Sequence, residues 1–226
     1  MIILQINENK SKDKDDKLSE HSSEFDKKEI LKVLDNIYVA IGYGLANCIM
    51  VVGDDGVIII DTMESPDAAQ EVLAEFKKIT QKPIVGIILT HFHADHTNGI
   101  NVFLEAAPDN VEIFTHDSFP KYLSQVMNVR SQITYKRAVR QFGTEIPKEA
   151  LKNAGIGLNL KLDKAQGFAG VTPTKVFSQR LAVNLAGLEL ELIHAPGETD
   201  DQIIVWYPCK KVLFPADNIY KAFPNL

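Results

Sequence analysis

The sequence predicts an α/β fold, a sheet covered by helices, on three observations. Apolar runs of strand length open the ordered part of the chain, strand- and helix-like segments then alternate, and paired strands return near the end. Residues 5–28 are polar, mixed in charge and nearly free of apolar side chains. Such a stretch buries too little surface to offset the entropy of ordering, so a flexible polar tail over 1–28 and one domain over 29–226 are expected.

Order begins near Ile30. Residues 37–41 and 47–52 read as two strands, and Gly53-Asp54-Asp55-Gly56 is a tight hairpin turn into a third, 57–61. Asp61 ends that apolar strand, where a carboxylate either faces a site or marks an exposed end; residue type alone leaves the two even. Ser65-Pro66 opens a helix as N-cap and first-turn proline, and Ala68, Val72, Leu73 and Phe76 recur at helical spacing through about Ile79. Residues 84–89 read as a buried strand, 100–106 as a helix and 111–114 as a further strand. Residues 117–150 read as helical and carry Arg130, Lys136, Arg137 and Arg140, a kind of charged face that is usually just solvated. Residues 151–178, rich in glycine, read as a long loop forming a wall or lid. Strands return at 181–185 and 188–193, the second with clean alternation and hence one buried face, and a hairpin pair follows at 203–207 and 211–214.

Composition excludes some functions. The 226 residues suffice for a proper core, and 45% hydrophobic with 24% charged residues fits a soluble globular chain. A net charge of −6 gives no footprint for nucleic acid or an anionic membrane, so an anionic substrate must be drawn by local charge such as a metal. Cys48 and Cys209 lack metal-ligand spacing and are expected to be buried small apolar residues. No apolar run approaches the roughly 18 residues of a membrane span. Met1-Ile2-Ile3-Leu4 is too short for a signal-peptide core and has no basic residue before it, so a cytoplasmic location is expected.

The chemistry is concentrated in Thr90-His91-Phe92-His93-Ala94-Asp95-His96. Three of the six histidines and a carboxylate fall within six residues at the end of an apolar strand. Strand alternation would point His91 and His93 the same way, and a turn at Thr97-Asn98-Gly99 would swing Asp95 and His96 back. Imidazole and carboxylate suit Zn²⁺, and the spacing suits two adjacent ions. Two ions need further ligands. Glu198 and Asp217 are the best candidates, each on a loop just past a strand, where layered α/β folds gather their sites.

From residue 37 onward these motifs resemble the metallo-β-lactamase superfamily and, within it, the alkyl sulfatase group. His-x-His-x-Asp-His is the superfamily's first metal motif. Where the superfamily has histidine in the next motif, Ala195-Pro196-Gly197-Glu198-Thr199 has the glutamate of the alkyl sulfatases; their bridging acid, usually glutamate, stands 19 positions later and is Asp217 here, in Ala216-Asp217-Asn218. The stretch from Lys136 to Gly143 is similar to the group's Arg-rich segment ending in Gln-Tyr-Gly, and Gly155-Ile156-Gly157-Leu158 to its next glycine-rich loop. The resemblance implies a metallo-β-lactamase-like αβ/βα sandwich, incomplete at its C-terminal end, with two zinc ions. His91, His93 and Glu198 would hold one, Asp95 and His96 the other, with Asp217 bridging or shared. A further zinc histidine, helical and sterol-carrier-like domains, and the region through which the group homodimerises would lie beyond Leu226, leaving the second zinc short of a ligand.

The implied activity is zinc-dependent hydrolysis of a medium-length alkyl sulfate to alcohol and sulfate by attack of a metal-bound hydroxide. Two zincs against Asp95, Glu198 and Asp217 leave one net positive charge, which suits a monoanionic ester. Asp95 and Asp217 are the expected catalytic carboxylates. Arg137, Arg140 and Gln141 are expected to bind the substrate, and apolar residues of 151–178 to receive its chain. The rivals are a thioester or lactone hydrolase of the same superfamily, disfavoured by Glu198, and a truncated non-catalytic homologue.

Overall fold

The structure, a computed structural model of the chain, describes residues 17, 19–20, 22–23, 25, 27–143, 145–147, 150, 157–158 and 169–220. One sheet takes its seven strands in sequence order: β1 (Glu29–Leu34), β2 (Ile37–Ile41), β3 (Cys48–Val52), β4 (Val57–Ile60), β5 (Ile84–Ile88), β6 (Glu112–His116) and β7 (Lys175–Phe177). β1 to β4 pair antiparallel and β4 to β7 parallel. A second, antiparallel sheet has four strands, β8 (Arg180–Leu185), β9 (Leu188–His194), β10 (Ile203–Tyr207) and β11 (Val212–Phe214), in the order β11-β10-β9-β8.

The apolar run of β4 is the hinge of the packing. Every residue in it is buried, because both faces of the strand are covered. Ile58 and Ile60 point with Ile37, Val51, Ile88 and Phe114 into a core shared with Leu190, Leu192, Val205 and Phe214 of the second sheet. Val57 and Ile59, one residue out of step, face the opposite way, into a core built with helices. Helix α1 (Pro66–Ile79) contributes Ala68, Ala69, Val72 and Phe76 there. Its start matches the residues: the Ser65 hydroxyl accepts Ala68 N–H at 3.3 Å, Pro66 is the first helical residue and Asp67 sits in the first turn. After the short helix α2 (Ala94–Thr97), α3 (Ile100–Glu105) adds Ile100 and Phe103 to the same layer, and α4 (Phe119–Ser124) adds Phe119 and Leu123.

Three expectations are corrected. The helical stretch after residue 117 is interrupted by a π-helical turn at Gln125–Val129, so α5 (Ser131–Gln141) is a separate helix with no buried residue. Strands β1 and β7 are additions: β1 is an edge strand with no fully buried residue, so its apolar spacing marks no core face, and β7 is three residues inside the stretch read as loop. Cys48 is buried as expected, but Cys209 is exposed on the Pro208–Lys210 turn, where no sheet covers it. Most of the 1–28 tail, and most of 151–168 with Gly155 and Ile156, lies outside the described residues. Among the described residues no helix is long and apolar enough to cross a membrane.

Because β4, β5 and β6 run parallel, their C-terminal ends share one edge of the first sheet. The second sheet brings β9 to the same edge. His116 at the end of β6 and His194 at the end of β9 stack with ring centroids 3.8 Å apart, and Ile203 N–H donates to Thr90 O at 2.9 Å. The functional candidates gather along this rim.

Candidate metal centre

Past β5 the chain leaves the sheet, and the side-by-side placement of His91 and His93 is made by loop backbone rather than by strand alternation, since β5 ends at Ile88. Asp95 and His96 return on α2 itself, not by a turn at residues 97–99. That short helix is pinned from behind. The N–H and hydroxyl of Thr62 donate to His96 O at 2.7 and 2.9 Å, and Gly99 N–H donates to Met63 O at 3.0 Å. A Cβ on Gly99 would lie 1.9 Å from Thr62 O, so the approach requires glycine. Asp61 and Met63, at φ 58° and 74°, occupy the left-handed region, a strain that concentrates at functional sites.

Asp61 faces the site and fixes its protons. Its Oδ1 accepts Thr90 N–H at 2.9 Å, and its Oδ2 accepts the Thr90 hydroxyl at 2.8 Å and His96 Nδ1–H at 2.7 Å. The Thr90 hydroxyl, its proton so committed, accepts His91 Nδ1–H at 3.0 Å. Both imidazoles therefore keep a proton on Nδ1 and turn Nε2 to the rim.

At the rim, His91 Nε2 lies 3.1 Å from His93 Nδ1 and 3.6 Å from Glu198 Oε2, and His93 Nδ1 lies 3.5 Å from that oxygen. Next to them, His96 Nε2 lies 3.3 Å from Asp217 Oδ1 and 3.5 Å from Asp95 Oδ2. Two groups result, His91 with His93 and Glu198, and His91 with His96 and Asp217, each with its ligand atoms within 4.8 Å of one another. His91 belongs to both, a sharing that sequence spacing did not suggest. These separations are near the roughly 3.3 Å between ligands placed tetrahedrally at about 2.0–2.1 Å from a zinc ion. His96 Nε2 and Glu198 Oε2, one from each group, are buried with no hydrogen-bond partner among the described residues. Imidazole nitrogens and carboxylate oxygens converging in this way are satisfied by a divalent cation, which would displace any proton between them, so the residues fit the expected metals.

Charge is shifted in opposite directions across the site. Burial, then the charges of His96 and His93, hold His91 well below the ordinary imidazole range. Burial opposes protonation of His96 too, but Asp61, Asp95 and Asp217 outweigh it and hold it well above. His93 is raised because the Glu198 carboxylate outweighs burial, and Asp95 is raised by burial against the pull of His96. Asp217 is held below the usual carboxylate range by His96 and His91 despite its burial. Opposed shifts among touching groups are characteristic of functional sites.

The loops bearing Glu198 and Asp217 are tied to each other. Asn218 Nδ2–H donates to Ala195 O at 2.9 Å, and a Cβ on Gly197 would meet Asn218 Oδ1 at 1.6 Å. Tyr122 on α4 spans the other side: its ring stacks on Phe92 at 6.0 Å, and its hydroxyl donates to Asp200 Oδ2 at 2.8 Å. Arg137, Arg140 and Gln141 stand exposed on α5, outside both ligand groups. Three groups escaped the sequence reading. Thr90 relays Asp61 to His91. Asp201 is fully buried, with neither carboxylate oxygen hydrogen-bonded among the described residues. Tyr220 donates its hydroxyl to Asp217 Oδ2 at 3.0 Å. The only available signal for Tyr220 was its spacing of three from Asp217 across a short turn.

Comparison with known proteins identifies the family. The family model of the metallo-beta-lactamase superfamily matches residues 41–224. The chain is 33% identical over 172 residues, 74% of its length, to a linear primary-alkylsulfatase of Pseudomonas sp. (strain ATCC 19151), of which it covers 32%. It is 27% identical over 202 residues to another linear primary-alkylsulfatase of Pseudomonas sp., covering 87% of this chain and 30% of that one. The structure of the stereoselective inverting sec-alkylsulfatase Pisa1 from Pseudomonas sp. superposes with a TM-score of 0.75 at 22% identity, over 87% of this chain and 32% of that one. The chain thus spans about a third of the length of the curated relatives it matches.

Proposed function

This chain belongs to the metallo-beta-lactamase superfamily, and from that premise we propose that it is the metal-binding portion of a hydrolase of alkyl sulfate esters. The observation that carries the reading is the convergence of Glu198 with His91 and His93, together with Asp217 beside His96. Similarity to alkylsulfatases supports the substrate class. The reaction adds water across the ester, R–OSO₃⁻ + H₂O giving R–OH and hydrogen sulfate.

His91, His93 and Glu198 would hold one zinc, and Asp95 and His96 the other, with Asp217 shared. Zinc, when bound, acidifies water and acts as a Lewis acid toward the ester. The protein's own part is positional. Asp61 and Thr90 hold His91 and His96 with Nε2 outward, and the three carboxylates offset most of the ionic charge, leaving attraction for one anionic group. Arg137 and Arg140, with Gln141, would take the sulfate oxygens through paired N–H donors.

The test is release of sulfate from dodecyl sulfate by the zinc-loaded chain, with a glutathione thioester as the competing substrate. Turnover of the sulfate ester alone is expected, and His93→Ala should abolish both zinc retention and turnover. Preference for the thioester would overturn the assignment. Retention of one zinc or none by the wild-type chain would instead favour a non-catalytic homologue.

A further inference from the structure

We propose that Tyr220 is a positioning residue of the metal centre, holding Asp217 so that a single oxygen faces the ion beside His96. The proposal rests on the metal reading above and extends it to a residue in neither ligand group. Asp217 sits on the three-residue turn Ala216–Asn218, which begins with Ala216 at φ 49°. Its two oxygens are used differently. Oδ1 lies 3.3 Å from His96 Nε2, and Oδ2 accepts the Tyr220 hydroxyl at 3.0 Å.

A carboxylate turns easily about its last torsion, so an aspartate with one partner has no fixed preference for which oxygen it presents. Aspartate is one methylene shorter than glutamate and has less reach to correct a wrong orientation. A neutral phenol has one proton to give, and here it goes to Oδ2, which commits Oδ1 to the ion side. Asn218, on the same turn, is already tied to the Glu198 loop, which leaves the Asp217 side chain, not its backbone, as the part in need of fixing.

The experiment is a zinc titration of metal-free chain against a chromophoric chelator, for wild type, Tyr220→Phe, Asp217→Ala and the double variant. Wild type should bind two ions. Tyr220→Phe should weaken one of them about 10- to 100-fold, the usual cost of removing an outer hydrogen bond to a ligand, and leave the other within about threefold. In the Asp217→Ala background the Tyr220→Phe change should add nothing, because its effect runs through Asp217. Unchanged affinity at both sites, an equal loss at both, or a further loss in the Asp217→Ala background would overturn the proposal. If wild type binds no ion, the metal reading itself fails and this inference falls with it, an outcome the wild-type titration alone distinguishes.

Discussion

A single carboxylate, Asp61, sets the protonation of two imidazoles, directly for His96 and through the Thr90 hydroxyl for His91. Asp61→Asn keeps the shape but brings an amide N–H toward groups that must donate, so it should weaken zinc binding about 10- to 100-fold in a chelator competition. Wild-type affinity in that variant would show that the tautomers are fixed elsewhere. The two thiols also separate at this scale. Burial, then the Asp61 charge, raises the Cys48 thiol well above its ordinary value, whereas Cys209 is exposed. One thiol per chain should therefore react with a disulfide reagent at pH 8 in native protein, and the second only in denaturant. The sign for stability follows: above the ordinary thiol value of about 8.5 the unfolded chain ionises Cys48 while the folded chain does not, so this group lowers stability as pH rises further.

At the scale of elements, strands and helices with a one-sided or fully buried pattern were legible: α1 with its Ser65 cap, and β4, β5, β9 and β10. What escaped were pieces whose form is set by neighbours. β1 has no fully buried residue, and the π-helical turn before α5 has no periodicity of its own. The loops at the rim show the same dependence. Gly197 is read from sequence as a turn residue, yet its importance lies in its contact with Asn218, 21 positions on. Gly197→Ala should push the two loops apart, weakening zinc binding while leaving the far-ultraviolet circular dichroism unchanged. If affinity held, the loops would be shown to adjust freely.

The whole molecule is two sheets and one helix layer meeting along β4, so its stability should be sensitive there. Ile58→Ala, at a fully buried position between the sheets, should cost about 2–5 kcal/mol in a denaturant titration. A metal ion held by these groups would join the two sheets as well, since His91, His93 and His96 follow the first while Glu198 and Asp217 follow the second. At zinc about 100-fold above its dissociation constant, binding would add about 2.7 kcal/mol to stability. At a few degrees per kcal/mol for a chain of this size, chelation should then lower the melting temperature by about 5–10 °C. A melting temperature indifferent to chelator would mean that the ions do not bridge the sheets.

Local residue order determined the ligand types, the apolar strands and the alternation that gives β4 two faces, because these follow from chemistry within a few positions. It left Asp61 undecided between site and surface and gave no sign that His91 serves both ligand groups. Nor could it join Tyr220 to Asp217 or Asn218 to Ala195. The double place of His91 was decided only when the two sheets closed face to face, because burying the inner faces of β4 and β9 brings loops more than a hundred residues apart to one rim, whereas the other pairings were decided by how the loops past neighbouring strand ends pack.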